Sequence, residues 1–180
     1  MGDQKKELPE GVVYICFKDL KPTVEGLMLH IGSGDGRMEG YINVDRYNKN
    51  ADANWDAAHL PLNDCTVSMI QSHQTLEHFE HHRMLEIFSE WYRVCKRGGE
   101  VHATTPDIIH SCKLVAENPE KEWLLSRIFG NQSHDGQFHK WGFTMRELTD
   151  LFGQAGFAES HTTRYTSSDG TEYLYVKAVR

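Results

Sequence analysis

The chain of 180 residues lacks any apolar run near the roughly 18–20 residues needed to cross a bilayer, and its opening, Met1-Gly-Asp-Gln-Lys-Lys-Glu-Leu-Pro9, lacks the apolar core of a signal peptide. A soluble, cytoplasmic protein with no membrane partner is expected. Cysteine is sparse: Cys16, Cys65, Cys95 and Cys112 stand singly and form no C-x-x-C pair, which excludes a zinc-ribbon or disulfide framework and leaves free thiols. Cys95 and Cys112 read as core packing residues. Basic charge is short as well, with 19 Lys and Arg against 26 Asp and Glu and a net charge of −7. That balance works against non-specific nucleic-acid binding, which draws its affinity from basic side chains releasing counterions. Internal repeats, low-complexity tracts and linkers are missing too, so a single domain over residues 1–180 is expected, with residues 1–25 as an N-terminal extension. Its 39% hydrophobic and 25% charged residues exclude a disordered or fibrous chain.

Glycine, by contrast, is concentrated where it matters. The apolar stretch Leu27-Met-Leu-His-Ile31 runs into Gly32, Gly34 and Gly36, a loop without Cβ atoms at three alternate positions against which a ligand can lie. A dinucleotide fingerprint reads G-x-G-x-x-G, opens a full helix and places an acid about 20 residues on. Here the spacing is G-x-G-x-G, and the next apolar segment, Tyr41-Ile-Asn-Val-Asp45, reaches its acid nine residues after Gly36. The gap is too short for a standard crossover helix, and without a helix N-terminus a pyrophosphate has no natural seat. A nucleoside needs none.

Further strands are expected at Ala51–Asp56, Val67–Ser72, Glu100–Thr105, Phe157–Tyr165 and Glu172–Val179, the last two joined by a turn at Ser167–Gly170. Val12–Phe17 reads as an extra strand or a packed extended segment. Between Leu76 and Arg97 the spacing of Met84, Ile87, Phe88, Trp91 and Cys95 predicts a helix, with Lys96 and Arg97 at its C-terminus and Gly98 as its left-handed cap. Asp107 can cap a helix to about Glu117, Asn118-Pro119 starts another that ends before Gly130, and Thr144-Met-Arg-Glu147 is a capping box for a helix ending near Gly156. Alternating strands and helices closed by a hairpin predict an open α/β sheet.

Leu29-His-Ile-Gly-Ser-Gly34 followed by Glu39-Gly-Tyr-Ile-Asn-Val-Asp45, with Leu76-Glu-His78 after the fourth strand, resembles the class I S-adenosylmethionine-dependent methyltransferases of the small, type-11-like kind. The motifs carrying the resemblance run from Leu27 to about Asp107. It implies a Rossmann-like, mostly parallel seven-stranded sheet with helices on both faces, an antiparallel C-terminal strand and a shortened first crossover. It also implies S-adenosyl-L-methionine as cofactor. His30 stands where many such enzymes carry an acid that positions the methionine ammonium.

Ligands of open α/β sheets sit beyond the carboxyl ends of the strands. That rule and the resemblance together select His30, Gly32, Ser33, Gly34, Gly36, Asp45, Arg46, Asp56, Ala57, Ser72 and His73 as cofactor-binding candidates. Asp45 suits two vicinal ribose hydroxyls. Asp56 and the Ala57 amide are similar to the family's adenine contact, although an Asx-turn before Leu60-Pro61 explains Asp56 nearly as well. Methyl transfer is mainly a matter of orientation, because the sulfonium already activates the methyl group; a hydroxyl acceptor adds the need for a general base. His73, His78 and His139 are the candidate bases.

Residues 130–143, Gly-Asn-Gln-Ser-His-Asp-Gly-Gln-Phe-His-Lys-Trp-Gly-Phe, form a loop long enough to need a reason. It reads either as a lid over a polar acceptor, with His134, Asp135, His139 and Trp141 as substrate contacts, or as a surface loop with Phe138 and Trp141 plugged into the core. His78 and His82 are four apart, but H-E-x-x-H is absent, and no metal is expected. The expected activity is methyl transfer to a small or medium polar acceptor, at a hydroxyl of a sugar or glycan. The absence of an N-P-P-Y-type tetrapeptide disfavours base-amine methylation of DNA. Two other readings stand beside it: a non-catalytic S-adenosylmethionine-binding or scaffold protein, and an NAD(P)-dependent oxidoreductase. The sequence leaves the oligomeric state open.

Overall fold

A computed structural model describes residues 20–167 and 171–180. The segment Val12–Phe17 and the tip of the turn, Ser168–Gly170, lie outside the described residues. Among the described residues there are six strands: β1 (Leu27–Ile31), β2 (Ile42–Val44), β3 (Val67–His73), β4 (Cys95–Pro106), β5 (Glu159–Thr166) and β6 (Glu172–Val179). They form one sheet in the order β2-β1-β3-β4-β6-β5. The first four are parallel, and β6 runs antiparallel to both β4 and β5.

The expected count of seven falls to six because Ala51–Asp56 makes one parallel bridge, Val44 to Ala53, and no strand. The cause is Asp52. Its Oδ2 accepts from the Asn43 backbone amide at 2.9 Å and from Asn43 Nδ2 at 3.0 Å, so a side chain takes a ladder bond that a neighbouring strand would have used. No helix separates β1 from β2, in line with the shortened crossover.

Helix α1 (Met84–Val94) is shorter than the pattern from Leu76 predicts. Leu76–His78 and His81–Arg83 are single 3-10 turns separated by extended Phe79 and Glu80. The carbonyl of Glu77 accepts from Lys140 N at 2.7 Å and Trp141 N at 3.2 Å, so the loop has captured the acceptor that a continuing helix would have offered to residue 81. At the other end Lys96, Arg97 and Gly98 are not the helix terminus: β4 opens at Cys95, and the chain end pairs there through Gly98 N to Arg180 O at 2.8 Å and Arg180 N to Gly99 O at 3.1 Å.

Three other local signals hold. Asp107, 1% exposed, caps α2 (Ile108–Glu117) by accepting from Ile109 N at 2.9 Å. Of the helix expected from Asn118-Pro119 only the end holds: a 3-10 turn at Glu122–Leu125 leads into the short α3 (Ser126–Phe129), which stops at Gly130 with φ 76°. Thr144 caps α4 (Met145–Gln154) through Glu147 N at 3.3 Å.

The apolar stripe of α1 and the inner face of α4 pack on one side of the sheet. Phe88 stacks on Phe152 with ring centroids 4.0 Å apart, and both belong to one buried cluster with Ile70, Val101, Leu174 and Val176 of the sheet. Each such fully buried side chain contributes about 1.5–3 kcal/mol. Of the helices expected on both faces, the described residues place α1 and α4 on this one. Strand register puts His30, Gln71, His102 and Lys177 in one row across the opposite face. That face is polar.

Candidate active site

A crevice of about 470 Å³ opens beyond the carboxyl ends of β1, β2 and β3, within the size range of small-molecule sites. Its floor is the glycine loop. Gly32 takes φ 72°, and a Cβ there would lie 2.2 Å from the Thr75 side chain, so only glycine lets the loop pass this close to the segment after β3. Gly34 has φ 48° and open space where a Cβ would stand, facing the crevice it lines. Both Gly32 N and Ser33 N donate to the Val44 carbonyl, at 2.8 and 3.1 Å, which ties the loop to the end of β2.

Asp45 lies just past that end and lines the crevice. Its Oδ2 accepts from Gly34 N at 2.8 Å, and its Oδ1 from Tyr47 N and Asn48 N, each at 2.8 Å. Three of about four acceptor positions on the carboxylate are therefore used by backbone. One remains for a ligand hydroxyl, against the pair expected.

Asp56 also lines the crevice and makes the Asx-turn to Ala58 N at 3.0 Å. The same carboxylate pairs with Arg46 at 2.6 Å and Arg83 at 3.0 Å. Burial opposes its charge, but the Ala58 amide, Arg83 and Arg46 outweigh that and hold its carboxyl below the usual carboxylate range.

Of the other cofactor candidates, Arg46 and Ala57 line the crevice and His30, Ser33, Gly36, Ser72 and His73 do not. His30 is buried beneath the loop with Nδ1 3.3 Å from Asn43 Oδ1; desolvation lowers its basicity more than Asn43 and the Asp45 charge raise it. The hydroxyls of Ser33 and Ser72 are buried without a hydrogen-bond partner. His73 turns to the polar face of the sheet, where Nε2 meets Gln71 Oε1 at 2.9 Å. Burial, with the neighbouring His30 and His102, pushes its pKa down to about 3, so its imidazole is a weak base at neutral pH.

The loop 130–143 closes the far wall of the crevice through Asp135, Gly136, Gln137 and Lys140. Of its four predicted contacts, Asp135 alone is at the wall. His134 accepts from Gly136 N at 3.1 Å and sits beside Tyr47, and Trp141 stacks on His81 at 4.1 Å while donating to Glu147 at 3.0 Å. The core plug is Phe143, fully buried, and not Phe138 or Trp141, which are 39% and 38% exposed.

His78 lines the crevice and His139 stands behind it, ring centroids 5.0 Å apart. His78 Nδ1 lies 3.0 Å from the Phe138 carbonyl and His139 Nδ1 lies 3.2 Å from the Arg127 carbonyl. A carbonyl can only accept, so both Nδ1 atoms carry the proton and each neutral ring keeps its lone pair on Nε2. Burial lowers the pKa of both; carbonyl contacts raise them less.

Glu77 is 2% exposed beside them, and burial pushes its carboxyl up to about 7 against the hydrogen bonds from its own amide and the Thr105 hydroxyl. Gln74 and Thr75 line the crevice, as the strand-end rule expects of residues 72–77, whereas sequence reading missed Arg83 and Lys140. Arg83 and Lys140 arrive by tertiary packing.

Residues 39–103 match the family model described as a methyltransferase domain. No curated protein matches the sequence. Among solved structures, a SAM-dependent methyltransferase of Methanosarcina mazei superposes with a TM-score of 0.64 at 15% identity, over 94% of this chain and 98% of that one. A SAM-dependent methyltransferase of Thermotoga maritima, described as a "possible histamine N-methyltransferase", gives 0.61 at 19% identity over 87% and 82%. Phosphoethanolamine N-methyltransferase 2 of Haemonchus contortus, in complex with phosphomonomethylethanolamine and S-adenosylhomocysteine, gives 0.59 at 15% identity over 91% of this chain and 51% of that one. The strand ends that build the crevice thus lie largely within a matched methyltransferase domain, and the chain has the fold of the class I S-adenosylmethionine-dependent methyltransferases.

Proposed function

We propose that the chain transfers the methyl group of S-adenosylmethionine to a hydroxyl of a small or medium polar acceptor such as a sugar. The observation carrying this reading is the crevice itself, in which the glycine loop and Asp45 at adjacent strand ends converge with Asp56. The adenosine lies along Gly32–Gly34, with a ribose hydroxyl on the free position of the Asp45 carboxylate and the adenine beside Asp56. The methionine end points toward Gln74 and Thr75. That the Haemonchus contortus neighbour binds S-adenosylhomocysteine supports the choice of cofactor.

The acceptor enters between this floor and the wall formed by Asp135, Gln137 and Lys140, whose hydrogen-bonding groups suit a polyhydroxylated molecule. The chemistry needs the acceptor oxygen, the methyl carbon and the sulfur in line. The new O–C bond forms as the C–S bond breaks, its electron pair goes to the sulfonium, and the hydroxyl proton passes to Nε2 of His78. Of the three candidate bases, His78 is the one lining the crevice, and its Nδ1 bond to Phe138 holds the ring in the tautomer that can accept a proton.

Calorimetric titration with S-adenosylhomocysteine, with NADH as control, tests the cofactor. Micromolar binding of the first and none of the second is expected. No binding of S-adenosylhomocysteine refutes the proposal, and binding of NADH favours an oxidoreductase.

A further inference from the structure

Glu77, His78 and His139 present one ligand atom each within 4.8 Å of one another. The sequence separates them by 62 residues, and the backbone brings them together deliberately. Lys140 N and Trp141 N donate to the Glu77 carbonyl, and His78 Nδ1 donates to the Phe138 carbonyl, so the strand of loop carrying His139 is stitched to the turn carrying Glu77 and His78.

We infer that Glu77, His78 and His139 form a binding site for one divalent transition-metal ion of the zinc class, at the wall of the crevice. Three observations carry it. First, both imidazoles are held by a backbone carbonyl on Nδ1, which is the outer-shell arrangement that fixes a metal-ligating histidine with Nε2 as its donor. Second, the carboxyl of Glu77 is buried with hydrogen bonds only from a hydroxyl and its own amide, and no Lys or Arg among the described residues pairs with it. With no basic side chain beside it, its ionised form is the one that a bound cation would stabilise.

Third, two imidazoles and one carboxylate are a recognised ligand set for zinc that leaves a coordination position open. Ligands on a tetrahedral zinc with bonds of about 2.0–2.1 Å lie roughly 3.3 Å apart. Side-chain rotation that brings the three atoms up to about 1.5 Å closer completes the site. Because His78 lines the crevice, the open position borders the same cavity. This departs from the sequence reading, which paired His78 with His82 and expected no metal; His82 is exposed on the next turn.

The site stands on geometry apart from the proposed reaction. When a cation is bound, Nε2 of His78 is committed to it. The cation would then supply, in place of that base, Lewis-acid activation of an acceptor hydroxyl at the open position.

The experiment is direct titration of the chelator-stripped full chain with Co2+, followed by visible absorption, and with Zn2+, followed by calorimetry. One equivalent is expected to bind. His139→Ala and Glu77→Gln should each weaken it at least tenfold, while His82→Ala leaves it unchanged. Urea unfolding of each variant shows that the loss is not one of folding, and His139→Gln provides a second, milder variant at a half-buried position. Absence of a saturable single equivalent overturns the site. So does binding that survives His139→Ala, or binding that His82→Ala abolishes. None of these readouts requires methyl transfer, so failure of the metal site and failure of the proposed function are seen separately.

Discussion

Replacing Asp45 tests whether the carboxylate is a ligand contact, a structural clasp or both. Asp45→Ala strands three backbone amides, Gly34, Tyr47 and Asn48, each now bonded to a carboxylate oxygen at 2.8 Å. Hydrogen bonds to a charged group contribute about 1.5–3 kcal/mol apiece; with water reaching the rim of the crevice and the three bonds sharing one side chain, the loss is about 2–4 kcal/mol of folding stability. Asp45→Asn is the sharper probe. Its carbonyl can keep the Tyr47 and Asn48 bonds while its amide group meets the Gly34 N–H, donor against donor. The turn after β2 stays closed and the clasp on the glycine loop opens, at about 1–2 kcal/mol.

Urea unfolding should therefore rank wild type above Asn above Ala. Titration with S-adenosylhomocysteine should show both variants weakened by tenfold or more, since both lose the acceptor oriented by Gly34. Equal stability of all three proteins refutes the clasp, and an Asn variant that binds like wild type refutes the ligand contact.

Gly32→Ala forces a Cβ to 2.2 Å from Thr75 at φ 72° and should cost about 2 kcal/mol or more by urea unfolding, whereas Gly34→Ala, with open space around it, should cost about 1 kcal/mol and lower S-adenosylhomocysteine affinity instead. Phe152→Ala removes the ring stacked on Phe88 in a fully buried site and should cost about 3–5 kcal/mol without changing the glycine loop. For His73 the folded pKa of about 3 lies below the unfolded value of 6.5, so the folded state binds fewer protons and stability falls as pH drops from 6.5 toward 3. By pH 5 the loss amounts to about 2 kcal/mol, and His73→Gln should flatten that part of the stability profile. A pH profile identical in the variant would show that the buried imidazole is not its source.

What the sequence made legible was whatever its residues decide locally. The glycine triplet, the Asp107 and Thr144 caps and the apolar strands needed only neighbours along the chain, and each appears at or within two residues of its expected place except β4, which opens five residues early at Cys95. The expectations that failed were those where a distant group intervened. Residues 51–56 have extended character, but Asp52 spends its side chain on Asn43 and the strand collapses to a bridge. The helix pattern from Leu76 is periodic, yet the loop takes the Glu77 carbonyl and breaks it.

The same distinction divides the crevice. The half proposed for the cofactor is lined by Gly32, Gly34 and Asp45, which lie within 14 consecutive residues, and motif spacing locates it. The half proposed for the acceptor is made from the loop around residue 137 folded onto the turn after β3, and no spacing encodes that meeting. The loop is not hinged freely over the cavity: three backbone and ring hydrogen bonds to Glu77 and His78, with the Lys140 to Glu80 pair at 2.7 Å, fasten its segment 138–141 beside the site. Residues 134–137 carry no such ties to the turn among the described contacts, so any closing movement over an acceptor belongs to them, with Asp135 at its tip and the His78–His139 pair as its fixed base. On the proposed function, adjustment to an acceptor would therefore fall on Asp135 and Gln137, while the hydrogen bonds at Glu77 and His78 keep segment 138–141 in place.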